Sequence, residues 1–154
     1  MLVKGIIAED FINYKKPSMV IECPTCNFKC GKNLCQNSSL IDTPNYDLMD
    51  QNIVNFYLKN DITCAIVFAG LEPFDSFNQM CLLIQQLREY TDDDIVIYTG
   101  YESSEIPEKI SWLKEHYKNI IVKYGRFIPN ENSHYDSELG VVLASSNQYA
   151  EKIC

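Results

Sequence analysis

The apolar positions of this chain fall into short unbroken runs, separated by stretches in which they recur with helical spacing. Leu2 to Ala8 predicts a first strand, and Met19-Val-Ile21 a second, reached through a polar loop from Phe11 to Ser18. Cys64-Ala-Ile-Val-Phe-Ala-Gly70 and Asp94-Ile-Val-Ile-Tyr-Thr99 are the continuous apolar runs of strands buried on both faces. Ile120-Ile-Val-Lys-Tyr124 predicts the next strand, and Gly140-Val-Val-Leu-Ala144 the last, after a polar, irregular stretch from Gly125 to Glu138. Between these runs, Leu48, Ile53, Val54, Phe56 and Tyr57 carry a helical stripe with Asp47 as its N-cap. Phe77, Met80, Leu83, Ile84 and Leu87 carry another, with Asp75 or Ser76 as the cap. A third helix is predicted from Ile106 to Tyr117, opened by Pro107, and Asn147 to Ile153 closes the chain.

Strand–helix–strand alternation at this spacing predicts βαβ units, hence a single α/β domain over residues 1–154 with a largely parallel sheet. In such folds ligands sit at the carboxyl ends of the strands. Three unusual loops lie there: Gly70-Leu-Glu-Pro73, Thr99-Gly-Tyr101 and Gly125-Arg-Phe127. A fourth loop, residues 23–35, leaves a strand in the same sense, so all four are expected on one rim.

Composition narrows the class. Of 154 residues 46% are hydrophobic and 22% charged, as in an ordinary globular domain. A formal charge of −8 opposes non-specific nucleic-acid binding, which depends on neutralising phosphates. No apolar run approaches the roughly 20 residues that span a bilayer, and the amino-terminal residues carry no signal-peptide pattern. The expected compartment is the cytoplasm, with no nucleic-acid or membrane partner.

The chemistry is concentrated in Cys23-Pro-Thr-Cys26-Asn-Phe-Lys-Cys30-Gly-Lys-Asn-Leu-Cys35, which holds four of the seven cysteines. Clustered cysteines in a reducing compartment point to metal or redox chemistry rather than disulfides, and an odd count argues against a closed disulfide framework. Three thiolates on an iron–sulfur cluster leave one iron free for an external ligand. Four close the site, for electron transfer or for structural zinc, and Cys23 with Cys26 has the zinc-knuckle spacing. Spacing alone leaves iron–sulfur, zinc and coincidental buried thiols open. Cys64 and Cys81 are expected as core thiols on a strand and a helix, and Cys154 as idle.

Five segments in order resemble the radical S-adenosylmethionine (SAM) superfamily, in particular the activating proteins of anaerobic (class III) ribonucleotide reductase. Thr25-Cys26-Asn-Phe-Lys-Cys30 followed by Cys35-Gln-Asn37 resembles that family's cysteine loop. Phe68-Ala-Gly-Leu-Glu-Pro73 resembles its glycine–glycine–acid–proline loop, and Ile97-Tyr-Thr-Gly-Tyr101 its Thr-Gly-Tyr strand end. Tyr124-Gly-Arg-Phe127 and Ala144-Ser-Ser-Asn-Gln148 resemble its last two motifs.

The resemblance implies an incomplete (β/α)6 open barrel in which Cys26, Cys30 and Cys35 hold a 4Fe-4S cluster whose free iron is chelated by SAM. It implies cofactor contacts at Gly70, Leu71, Glu72, Pro73, Thr99, Gly100, Tyr101, Ser146 and Asn147. The implied activity is reductive cleavage of SAM to a 5′-deoxyadenosyl radical that abstracts hydrogen from a glycine on a partner. That partner is a glycyl-radical enzyme, anaerobic ribonucleoside-triphosphate reductase, and the electron comes from a donor such as flavodoxin or ferredoxin.

The chain departs from the family in three places. The gap from Cys30 to Cys35 is two residues longer than the family's, although Gln36-Asn37 continues the pattern and so favours Cys35 over Cys23 as third thiolate. Ile12-Asn-Tyr-Lys-Lys-Pro-Ser18 stands where the family carries Val-Asn-Gly-Pro-Gly-x-Arg. Leu71 replaces the second glycine of its loop. A different substrate for the same chemistry, or a non-catalytic zinc or iron–sulfur module, are the competing readings. Tyr98 and Tyr101, at a strand end, either pack or line an adenine pocket; a solvated side chain is expected of Arg126, and a solvated turn of Asp92-Asp-Asp94. His116 and His134 are given no role.

Overall fold

The computed structural model describes residues 1–154. In chain order it contains β1 (Leu2–Val3), β2 (Gly5–Asp10), β3 (Ser18–Cys23), β4 (Tyr46–Asp47), α1 (Asp50–Leu58), β5 (Ala65–Gly70), α2 (Phe77–Arg88), β6 (Asp94–Tyr98), α3 (Pro107–His116), β7 (Ile120–Tyr124), β8 (His134–Asp136), β9 (Val141–Leu143) and β10 (Tyr149–Lys152). The six-stranded main sheet has the order β10-β7-β6-β5-β3-β2. Its four central strands are parallel, and the two outer ones, β2 and β10, are antiparallel to their neighbours. The fold is therefore mixed α/β around a largely parallel sheet. Three α-helices connect the four parallel strands, where the resemblance implies six βα units.

The parallel strands follow one another in space as they do in sequence, so right-handed crossovers set all three helices on one face. Met19, Ile21, Ile66, Phe68, Ile95, Ile97, Ile120 and Val122 turn to that face and pack on Ile53 and Val54 of α1, Met80, Leu83 and Leu87 of α2, and Leu113 of α3. Burying each such side chain contributes roughly 1.5–3 kcal/mol. The alternate residues Val20, Ala65, Val67, Val96 and Ile121 face the other way and carry no helix. Tyr14 of the β2–β3 connection, with Leu139 and Leu143 of the β8–β9 hairpin, covers them. That cover reaches only the amino-terminal half of the face. Toward the carboxyl ends of the strands, the same face is open.

Several local expectations change. The first apolar run is interrupted at Lys4, and its second half pairs with β3. Asp47 does not cap α1: it lies in β4, paired with Leu2, and the helix begins at Asp50. Ser76 stands at the N-cap of α2 but makes no capping hydrogen bond, its hydroxyl meeting that of Thr25, and the Asp75 carboxylate accepts the Asn27 amide and the Tyr101 hydroxyl. The closing segment becomes the edge strand β10, while Gly140–Ala144 supplies β9 outside the main sheet. Asp92-Asp-Asp94 is no free turn. Asp93 accepts the Tyr57 hydroxyl, Asp94 accepts Tyr14 and Lys16, and Asp92 pairs with Lys118. Cys64 is exposed just ahead of β5 rather than in the core, whereas Cys81 is buried. His134 is ordered in β8.

Candidate functional site

The open half of the sheet face forms a cleft of about 410 Å³. Cys26, Cys30 and Cys35 line it together with Asn37, Gly70, Leu71, Glu72, Thr99, Gly100, Gly125 and Arg126. Parallel pairing explains the convergence: Cys23 is level with Gly70, and Tyr98 with Lys123, so the loops after β3, β5, β6 and β7 leave the sheet on one rim. Glu22, Ala69, Tyr98 and Lys123, on the helix-free face of those strands, form the floor.

The cysteine segment is anchored to the loop after β5. Leu71 N–H donates to the Cys23 carbonyl at 3.2 Å, and Glu72 N–H to the Thr25 carbonyl at 2.7 Å. Further along, the Asn37 side chain donates to the Gly70 carbonyl. Gly70 makes this approach possible. Its φ is +82°, and a Cβ there would stand 2.9 Å from Glu22 Cα.

Glu72 is the hinge between loops. Its carboxylate accepts from Phe74 N at 3.1 Å, Thr99 Oγ1 at 2.8 Å and Gly100 N at 2.9 Å. Burial pushes its pKa up, against the opposing pull of those three donors. A carboxylate so occupied fixes the β5 and β6 loops to each other.

At the mouth, Arg126 is not a free solvated side chain but grips Glu105 with two nitrogens at 2.7 and 3.0 Å. The arginine's hydrogen bonds hold the Glu105 carboxyl down at about 2. Lys29 reaches Glu105 at 3.5 Å, and Lys29 and Arg126 lie 5.0 and 5.5 Å from the Tyr101 ring centroid. The cysteine loop is thereby strapped to the loops after β6 and β7.

The four cysteines of the loop separate into two environments. Cys23 is fully buried in the core on the helix side of β3. Cys26, Cys30 and Cys35 are partly exposed and face the cleft, and all seven cysteines are free. Burial raises the Cys26 thiol to about 11, so ligation must supply its deprotonation, as a bound cation does. No three His, Cys, Asp or Glu side chains are gathered closely enough for a single metal ion. A cluster spreads its thiolates over separate irons and does not need that spacing. The donor set, three free thiols and no histidine in the cleft, fits an iron–sulfur cluster better than zinc.

Not every expected contact residue reaches the cleft. Pro73 is buried in the turn leading to α2. Tyr101 turns outward to Asp75 and Asn27. Ser146 is exposed and donates to Glu131. Asn147 lies behind the cleft wall, donating to the Arg126 carbonyl at 2.9 Å, while its own Oδ1 is buried without a partner.

Conversely, the structure places Glu22 and Lys123, for which the sequence offers no ligand role, on the cleft floor beside Tyr98. The signal for Lys123 is legible in retrospect, a charged residue inside the apolar run Ile120–Tyr124. It is 7% exposed, and burial lowers its pKa to about 8 although Glu72 and Glu102 pull it upward. Between about pH 8 and the ordinary lysine value of 10.5, the unfolded chain holds a proton that the folded chain has released. Stability contributed at this residue therefore rises with pH across that window, by on the order of 3 kcal/mol at most. Urea unfolding of the natural chain and of Lys123→Met at pH 8 and pH 10 should show the natural chain gaining stability relative to the variant as the pH rises, buried thiols titrating alike in both.

These features define an α/β domain with a cysteine-lined cleft at the carboxyl ends of a parallel sheet. The family model described as a 4Fe-4S single cluster domain matches residues 19–150, and the chain belongs to that family. No curated protein and no solved structure matches it. No helix is long and apolar enough to cross a membrane.

Proposed function

We propose that the protein is a radical SAM activating enzyme whose 4Fe-4S cluster is held by Cys26, Cys30 and Cys35, within the incomplete barrel of that superfamily. The observation that carries this reading is the gathering of those three thiols, apart from the core thiol of Cys23, into one cleft with Gly70–Glu72 and Thr99–Gly100. Membership of a single-cluster family supports the cluster, and the ordered motif series supports SAM. A cluster held there would supply the electron, received from an external donor, for reductive cleavage of SAM, the chemistry that leads to a glycyl radical on a partner protein.

The chain's own residues do the positioning. Gly70, held at positive φ, lets the backbone of the β5 loop come close to the bound cofactor. Glu72 keeps that loop aligned with Thr99 and Gly100 without donating or accepting a proton in the reaction. Gly100 keeps the β6 end free of a side chain, where a Cβ would meet Arg126 at 3.3 Å. The partner is an anaerobic ribonucleoside-triphosphate reductase, with the electron drawn from a flavodoxin- or ferredoxin-type donor, in the cytoplasm. The open face beside β2 suits a substrate that is a protein loop.

A second reading keeps the chemistry and changes the substrate. It is favoured by the β2–β3 connection, which is built around the buried Tyr14 and its hydrogen bond to Asp94 at 3.0 Å, in place of the family's glycine-rich stretch. Anaerobic reconstitution with iron and sulfide tests both. A brown cluster absorbance, methionine and 5′-deoxyadenosine are expected, with a glycyl-radical resonance when a cognate reductase is added. Cleavage without that resonance selects the second reading. Absence of the cluster sinks both.

A further inference from the structure

We infer that Lys123 is an anion-recognition residue, anchoring a carboxylate or phosphate group of the molecule that occupies the cleft. The inference rests on the cleft floor and does not require the cluster.

A lysine ammonium has three protons to donate. Here one goes to the Gly125 carbonyl at 2.8 Å, and that carbonyl is also taken by Gln148 at 3.2 Å. The remaining donors of Lys123 form no ion pair, although the side chain is buried and lines the cleft. A buried charge without a partner is costly, and such charges are normally paired.

Of the other charges of the cleft, only the Glu22 carboxylate on the floor has no hydrogen bond, and it makes no ion pair with Lys123. Arg126 is held by both oxygens of Glu105, and the Glu72 carboxylate is filled by three donors. Lys123 is thus the cleft's one cation without an anion. Tyr98 sits beside it, with its ring centroid 6.0 Å from Nζ and its hydroxyl spent on the Asn13 carbonyl. This leaves an apolar wall and a fixed cation, the elements of a site that accepts an anionic group and excludes water from it.

A strand-end lysine present only for packing would make the opposite demand. The run Ile120–Val122 reads as pure core, and methionine at 123 would fill the same space without a charge to desolvate.

The test uses the anaerobically purified full chain and its Lys123→Met and Lys123→Arg variants. Calorimetric titration would use three probes: S-adenosylmethionine, decarboxylated S-adenosylmethionine and inorganic phosphate. Lys123→Met is expected to weaken S-adenosylmethionine, through its carboxylate, or phosphate about 10- to 100-fold, the worth of a charge-assisted hydrogen bond, with an unchanged or higher melting temperature. Lys123→Arg should retain most of the affinity. If the preference for S-adenosylmethionine over its decarboxylated form collapses in the variant, the anchored group is the cofactor's carboxylate. If only phosphate weakens, it is a phosphate on the substrate. Equal affinities in the natural chain and Lys123→Met, for both S-adenosylmethionine and phosphate, overturn the inference. Iron content measured on the same samples separates this outcome from failure of the cluster reading, because phosphate binding that depends on Lys123 in a chain without iron supports the one and not the other.

Discussion

Alanine in place of Cys26, Cys30 or Cys35, one at a time, should abolish the brown absorbance of the reconstituted protein and all cleavage of S-adenosylmethionine, whereas Cys23→Ala should leave both. The expectation comes from where the thiols stand. Cys23 is the last residue of β3, level with Gly70, and its side chain is fully buried on the helix side of the sheet. Reaching the cleft would require β3 to turn its face over, which would expel Met19 and Ile21 from the core on the same strand. Cys26, Cys30 and Cys35 already line the cleft. Taking one ligand from a three-thiolate cluster leaves two, and a cluster held by two thiolates has no closed protein site. Cys23→Ala instead leaves a small void in the core, costing about 1 kcal/mol. It should appear as a modest fall in melting temperature with a normal iron content. Iron and sulfide analysis of the four variants decides the matter: retained cluster in Cys35→Ala together with its loss in Cys23→Ala would reverse the ligand assignment.

The division of the cysteines was only half legible in the sequence. The Cys-x3-Cys-x4-Cys run announced a ligand set, but its first neighbour, Cys23, forms a knuckle pair with Cys26 when only spacing is considered. What separates them is the parity of β3. Met19, Ile21 and Cys23 share one face, and that face belongs to the helices. The parallel core was equally legible, because runs such as Ala65–Phe68 and Ile95–Ile97 are apolar at every position and leave little choice but a strand buried on both sides. The edges were not. Tyr149–Lys152 carries two charges and, apart from the Tyr149 ring against Tyr124, is held to β7 by its backbone, so no apolar run reports it. Helix starts failed for a related reason. Asp47 and Asp75 are good caps in isolation, but tertiary partners claimed them first, β1 in one case and the cysteine loop in the other. The roles of Arg126 and Lys123 were not legible, even though Lys123 stands out as a charge in an apolar run, because they depend on tertiary partners: Glu105 for the first, and no anion for the second.

Gly70→Ala should be the most damaging single substitution outside the cysteines, and its effect should begin in the sheet before it reaches the site. Gly70 adopts φ +82°, which an L residue reaches only with a strain of about 1 kcal/mol or more. A Cβ there would also stand 2.9 Å from Glu22 Cα and 3.0 Å from Cys23 N. These are backbone atoms of β3, held in parallel register with β5 from Met19↔Ile66 to Cys23↔Gly70, so they cannot move aside without opening the ladder. Overpacking of this kind typically costs a further 1–3 kcal/mol. Together these predict a loss of about 2–4 kcal/mol, or roughly 5–15 °C in melting temperature for a domain of this size. The same displacement separates the Gly70 carbonyl from Asn37 and the Cys23 carbonyl from Leu71, the contacts that bind the two ends of the cysteine loop to β5. Leu71→Gly is the informative comparison, since it alters the neighbouring position without forcing a Cβ into β3. Thermal unfolding and iron content measured together should show both lowered in Gly70→Ala. A Gly70→Ala protein with natural stability and a full complement of iron would show that β3 and β5 can part at this point, and that the cysteine loop is held in place by its ligand rather than by the sheet.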